Sequence, residues 1–160
     1  MKFIGTKLTQ IDFYILQSES EDSWLRFVCK IVDKAFNRDM VVFIYSSDEY
    51  ISQQLDKLLW TFSQNSFLPH VYIDSPNQDK HEERIFLSNA SVDCLEDFIL
   101  SKKIKFDLII NLALETPSFF NSVDRLIEVI DNSNRMKDIG RKKFAFYKKE
   151  GYEINTHKIS

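Results

Sequence analysis

The stretch VVFIYSSDEYISQQLDKLLWTF, residues 41–62, changes its period partway along. VVFIY (41–45) is an unbroken run of β-branched and aromatic residues, which predicts a strand buried on both faces. From residue 46 a Ser/Asp start opens a helix that runs to residue 62. At about 100° per residue, Ile51, Leu55, Leu58, Leu59 and Phe62 gather within a third of the wheel. A doubly buried strand feeding an amphipathic helix is the building unit of a parallel sheet.

The same alternation extends in both directions. IDFYIL (11–16) reads as a strand, followed by the polar turn SESEDS with cap candidates Ser18 and Ser20. WLRFVCKIVDKAF (24–36) has the spacing of an amphipathic helix. HVYID (70–74) reads as a third strand, residues 75–84 as a polar loop, IFLS (85–88) as an edge strand and SVDCLEDFILSKK (91–103) as a helix. FDLIINLA (106–113) and RLIEVI (125–130) are further strands, separated by a loop or helical turn around Phe119 and Phe120. Residues 135–151 form a last helix with Gly151 as its cap, and YEINTHKI (152–159) alternates as a closing edge strand. The pattern predicts one domain over residues 1–160, with a largely parallel sheet covered by helices on both faces.

With 160 residues, 44% of them hydrophobic, and fourteen Phe, the chain can bury a sizeable core. No apolar run reaches the roughly 20 residues that span a bilayer, and nothing resembles a secretory signal, so a cytoplasmic protein without a membrane partner is expected. Cys29 and Cys94 sit in apolar patterns without metal or disulfide spacing. The formal charge of −3 is unevenly placed: residues 1–134 carry thirteen Lys/Arg and twenty-one Asp/Glu, a balance of −8, whereas residues 135–160 carry eight and three, a balance of +5. An acidic body argues against a protein that coats nucleic acid, which needs a broad positive surface.

Catalytic and cofactor patterns are sparse. A nucleotide site at the strand ends needs a glycine-rich turn, and Gly5, Gly140 and Gly151 do not follow a strand into a helix. The first two strand-to-helix loops, QSESED and SSDE, are acidic and suit helix caps better than phosphates. His70, His81 and His157 are dispersed; His81 in DKHEER reads as a solvated loop residue and His157 as structural. No cofactor, no metal and no catalytic residue are expected.

Two surfaces stand out instead. Trp60 lies about 180° from Ile51 on its helix, and SQNSFLPH follows at once. Trp60 either packs beneath that loop as a satellite core or anchors a protein interface. On the last helix, RMKDIGRKKFAFYKKEG, the residues Met136, Ile139, Gly140, Phe144, Phe146 and Tyr147 form the predicted core arc, with Lys143 snorkelling from it. Lys137, Arg141 and Lys148 align beside Phe144, and Lys142 and Lys149 fall on the far side. A cationic stripe beside an aromatic suits an acidic peptide with a hydrophobic residue, and a DNA backbone is the rival ligand.

DFYIL (12–16), FVCKIVDKAF (27–36), VVFIYSSDEYISQQLDKLLW (41–60), SFLPH (66–70), FDLIINL (106–112) and KDIGRKKFAFYKKEGYEINTH (137–157) together resemble the chi-subunit family of bacterial DNA polymerase III. The resemblance spans the chain except about residues 74–105. It implies a three-layer α/β/α sandwich, Rossmann-like without a nucleotide-binding loop, and no catalytic activity of its own. It implies a clamp-loader accessory subunit that pairs with a psi-type subunit and binds the acidic, Phe-terminated tail of single-stranded-DNA-binding protein, touching nucleic acid only indirectly. Trp60, Phe67 and Pro69 match its psi-contacting positions with His70 beside them, and a helicase-like protein is a further candidate for that surface. Lys137, Arg141, Phe144 and Lys148 match its tail-binding positions. Ala145 departs from the pattern, standing where another cation is usual. DNSN (131–134) is a short loop without pocket-forming apolar residues, leaving Ile130 or Met136 to line a pocket for the terminal Phe. An α/β nucleotide-binding or enzymatic domain is the alternative reading.

Overall fold

The computed structural model describes residues 8–62, 68–73, 83–101 and 104–159. Among these residues, seven strands form one sheet in the order β3-β4-β2-β5-β6-β1-β7, with every neighbouring pair parallel. The strands are β1 (Gln10–Leu16), β2 (Val42–Tyr45), β3 (Val71–Tyr72), β4 (Ile85–Ser88), β5 (Leu108–Asn111), β6 (Arg125–Ile130) and β7 (Ile154–Ile159). The helices are α1 (Glu21–Asn37), α2 (Glu49–Thr61), α3 (Val92–Leu100) and α4 (Asn134–Lys149).

Strand periodicity builds the layers. On β2, Val42 and Ile44 join the cluster under α1 and α2 with Val28, Val32, Leu55 and Leu59. Phe43 and Tyr45 point the other way, into the cluster under α3 and α4 with Leu95, Ile99 and Tyr147. All four residues of β2, β4 and β5 are buried, which is why these segments read as continuous apolar runs rather than alternating ones. The result is the three-layer α/β/α sandwich.

One strand assignment is corrected. Ile85–Ser88 is not an edge: β4 pairs with β2 on one side and β3 on the other. Among the described residues the edges are β3 and β7, and β7 shows the half-exposed pattern expected of one. HVYID shortens to Val71–Tyr72, although the Ile73 amide still bonds the Leu87 carbonyl at 2.7 Å. Asp74 and most of the 75–84 segment, with His81, lie outside the described residues.

Side-chain caps begin three helices. Ser20, Asp48 and Ser133 accept from the amides of Ser23, Ile51 and Met136, so the acidic and hydroxyl residues of the strand-to-helix loops are spent on orphan N–H groups. Gly151 follows α4 at φ +88°, a left-handed turn that only glycine enters cheaply. Cys29 is fully buried, and burial pushes its thiol up to about 12. The side chain of Cys94 lies outside the described residues. No helix among the described residues is long and apolar enough to cross a membrane.

Candidate docking surfaces

The first surface sits on α2. Its apolar stripe faces the sheet, burying Leu55 and Leu59, so Trp60 is turned outward and remains 47% exposed. The indole is not isolated: its ring centroid lies 4.5 Å from that of His70. His70 is buried, with Nδ1 bonded to the Leu68 carbonyl and Nε2 to the Asp56 carboxylate. The Leu68 amide in turn donates to the Leu59 carbonyl at 3.0 Å. The 68–70 segment is therefore pinned to α2, and the imidazole forms a fixed backing for the exposed indole. Pro69 is partly exposed between these anchors. The structure thus brings Trp60, Pro69 and His70 together; Phe67 lies outside the described residues.

The second surface sits on α4. Gly140, Lys143 and Tyr147 form its buried line, and Phe144 is half-buried with its ring 5.7 Å from that of Phe13 on β1. Arg141 and Lys148 are exposed and Lys137 is half-buried, and all three lie on the same side of α4 as Phe144, with Lys137 about two turns before it. Arg141 already pairs with Asp138 at 2.7 Å, and both side chains are mostly exposed. Such an exposed pair contributes at most about 1 kcal/mol, so an incoming carboxylate can compete for the guanidinium. Ala145 is exposed and small.

Lys143 does not snorkel. It is 6% exposed, and its ammonium donates to the Ala113 carbonyl and, at 2.9 Å, to Glu128 Oε1. Glu128 Oε2 accepts from Asn111 at 2.9 Å and from the Tyr147 hydroxyl at 2.6 Å. Burial, with the Glu128 carboxylate beside it, pushes the Tyr147 phenol well above its ordinary range. This network joins α4 to β5 and β6 and fixes which face the helix turns outward. Two signals pointed to it: a Glu inside the apolar strand RLIEVI, and a Lys inside a core arc.

A cleft of about 560 Å³ opens at the strand ends between the starts of α1, α2 and α4. It is lined by Trp24, Tyr50, Ile51, Leu112, Leu114 and Met136, but also by Glu21, Asp48, Glu49 and Asp131 against Arg135. Those carboxylates oppose a phosphate at the helix starts, where an open α/β sheet would hold a nucleotide. Met136 does line an apolar wall, while Ile130 is buried against Gly140.

The fold and these side chains define a three-layer α/β protein whose distinctive groups lie on outer helix faces. Residues 8–155 match the family described as DNA polymerase III chi subunit, HolC, and the chain belongs to that family. It is 28% identical over 152 residues to DNA polymerase III subunit chi of Pseudomonas aeruginosa, covering 95% of this chain and 98% of that one. The chi subunits of Haemophilus influenzae and Escherichia coli K12 are each 22% identical, covering 92% and 90% of this chain and 95% and 94% of their own. Among solved structures, the C-terminal domain of a possible DNA helicase from Lactobacillus plantarum superposes with a TM-score of 0.53 at 10% identity, covering 90% of this chain and 84% of that one. That likeness concerns the fold alone.

Proposed function

We propose that this chain is a non-catalytic accessory subunit of the DNA polymerase III holoenzyme in DNA replication. It bridges the clamp loader, through a psi-type subunit, to the acidic C-terminal tail of single-stranded-DNA-binding protein. The exposed Trp60 over His70, with Pro69, is the docking surface for the first partner, and a helicase-like protein is a second occupant of the same surface. Lys137, Arg141, Phe144 and Lys148 hold the tail, with Arg141 at its terminal carboxylate. The observation that carries this reading is the cationic stripe beside Phe144 on an otherwise acidic protein. A protein with these partners works in the cytoplasm and meets nucleic acid only through them.

A labelled acidic peptide ending in Phe, titrated against wild type and Arg141→Ala, tests the assignment. Affinity should fall at least about tenfold in the variant, the scale of one charge-assisted contact. Wild-type binding should also weaken as salt rises. Equal affinities would remove the tail site. The rival reading, a nucleotide-binding or enzymatic domain, is opposed by the carboxylates lining the strand-end cleft; a thermal shift on adding nucleotides would revive it.

A further inference from the structure

The far flank of α4 carries groups that the tail site does not use. Phe146 was expected in the core, yet it is 40% exposed. Its ring rests on Phe120 at 5.8 Å and Tyr147 at 5.6 Å in near-perpendicular contacts, so one face is held firmly while the rest meets solvent. Lys142 and Lys149 are exposed at i−4 and i+3 from Phe146, which puts the three on one side of the helix. Among the described residues neither lysine forms an ion pair. Two acidic groups border this flank: Glu150 follows Lys149, and Asp138, whose carboxylate pairs with Arg141, stands one turn before Lys142.

The two flanks have matching chemistry: cations beside an aromatic, with Ala145 exposed between them. A helix with its side chains is about 10 Å across, so roughly three extended residues carry a peptide from one flank to the other. A long side chain at residue 145 would stand in that path, whereas a methyl leaves it open. We infer that Lys142, Phe146 and Lys149 form a second contact surface for an acidic peptide, which crosses α4 over Ala145 and lays an apolar residue against Phe146. This extends the tail site of the proposed function and rests on that reading. Charge complementarity selects the occupant: a lone aromatic between two lysines is a poor stacking platform for a nucleic-acid strand, and the −8 body repels its backbone.

Two labelled peptides separate the flanks. The short one has three acidic residues and a terminal Phe; the longer one continues upstream with further Asp/Glu and one apolar residue. In wild type the longer peptide should bind about tenfold more tightly, the scale of two weak charge contacts plus apolar burial. Lys142→Ala/Lys149→Ala and, separately, Phe146→Ser should erase that gain while leaving the short peptide within about twofold. Ala145→Gln should also remove it, and all four positions are exposed, so melting curves will confirm that the variants fold. If these variants bind the longer peptide as wild type does while Arg141→Ala weakens both, the second surface is wrong and the tail site stands. If Arg141→Ala changes neither peptide, the tail site falls and this extension falls with it. Binding of an unstructured oligonucleotide that depends on Lys142 and Lys149, with no peptide gain, would overturn the inference in favour of nucleic acid.

Discussion

Lys143 shows how one side chain governs a surface it never reaches. Its ammonium and the Glu128 carboxylate are both buried, and every nearby acceptor is met by a donor from Lys143, Asn111 or Tyr147. Removing one partner strands the other charge, so Lys143→Met should cost about 3–5 kcal/mol in unfolding free energy. Replacing both, as Lys143→Met/Glu128→Leu, should recover much of that loss, because an apolar pair needs no desolvation. Denaturant melts of the two singles and the double complete the cycle; additive losses would mean that the pair is not coupled. Asp12 makes a second case. Burial raises its carboxyl, but the bonds and charge of Arg125, with Gln10 and His157, outweigh that and hold it below the ordinary value of 3.8. Since the folded value lies below the unfolded one, Asp12 adds stability above about pH 4, and the increment drains away as pH falls through the folded value. The stability gap between wild type and Asp12→Asn should therefore be full at neutral pH and close in the acid limb. A gap that stays constant as the pH falls through 4 to 3 would assign it to packing. His157, read from sequence as structural, belongs to this cluster through its Asp12 bond and its stacking on Tyr14.

At the scale of elements, α4 is seated by a close approach as well as by its ion pair. A Cβ at Gly140 would lie 3.2 Å from Cγ1 and Cδ1 of Ile130, so the helix rides close against β6 and any larger residue would make the Ile130 side chain give way. Gly140→Leu should overpack this contact and cost about 1–3 kcal/mol, while tilting the cationic stripe. The check is a melt together with acidic-peptide affinity; a loss of stability with unchanged peptide binding would show that the stripe tolerates the shift. Elements were largely legible in the sequence because period changes are local: the apolar run 41–45 and the helix behind it need no tertiary context. What escaped is equally physical. IFLS gave no sign of its neighbours, since an apolar run of four is compatible with an edge or an interior position, and only the crossover from β3 placed it inside. A helical wheel fixed the angles of Lys143 and Phe146 but not the depth of the groove each enters. Wheel position alone made Lys143 snorkel and buried Phe146, whereas the acidic partner on β6 drew the lysine in and the 119–120 turn stopped short of covering the phenyl ring. The aligned Lys137, Arg141 and Lys148 were readable because alignment along one helix is all they require.

At the scale of the whole molecule, the two surfaces belong to opposite layers. Trp60 stands on α2, which packs with α1 on one face of the sheet, whereas Arg141 stands on α4, which packs with α3 on the other. A rigid parallel sheet, buried on both sides through β2, β4 and β5, separates them. Neither surface borrows a side chain from the other. Sites that share no contacts act additively, within about 0.5 kcal/mol. The proposed bridging role requires both partners to sit down at once, and surfaces on opposite layers are compatible with that. Trp60→Ala should therefore weaken the psi-type partner and leave acidic-peptide affinity within about twofold, and Arg141→Ala should do the reverse. Trp60→Ala also carries its own control: it should cost little stability, because the indole is half exposed over a histidine that Asp56 and Leu68 already hold. A large drop in melting temperature would return Trp60 to the satellite core. Calorimetric titration of the peptide into the preformed partner complex then decides between independent and linked sites. Equal affinity with and without the partner supports a passive bridge, whereas a change of more than about fivefold would mean that the sheet transmits a signal between its layers.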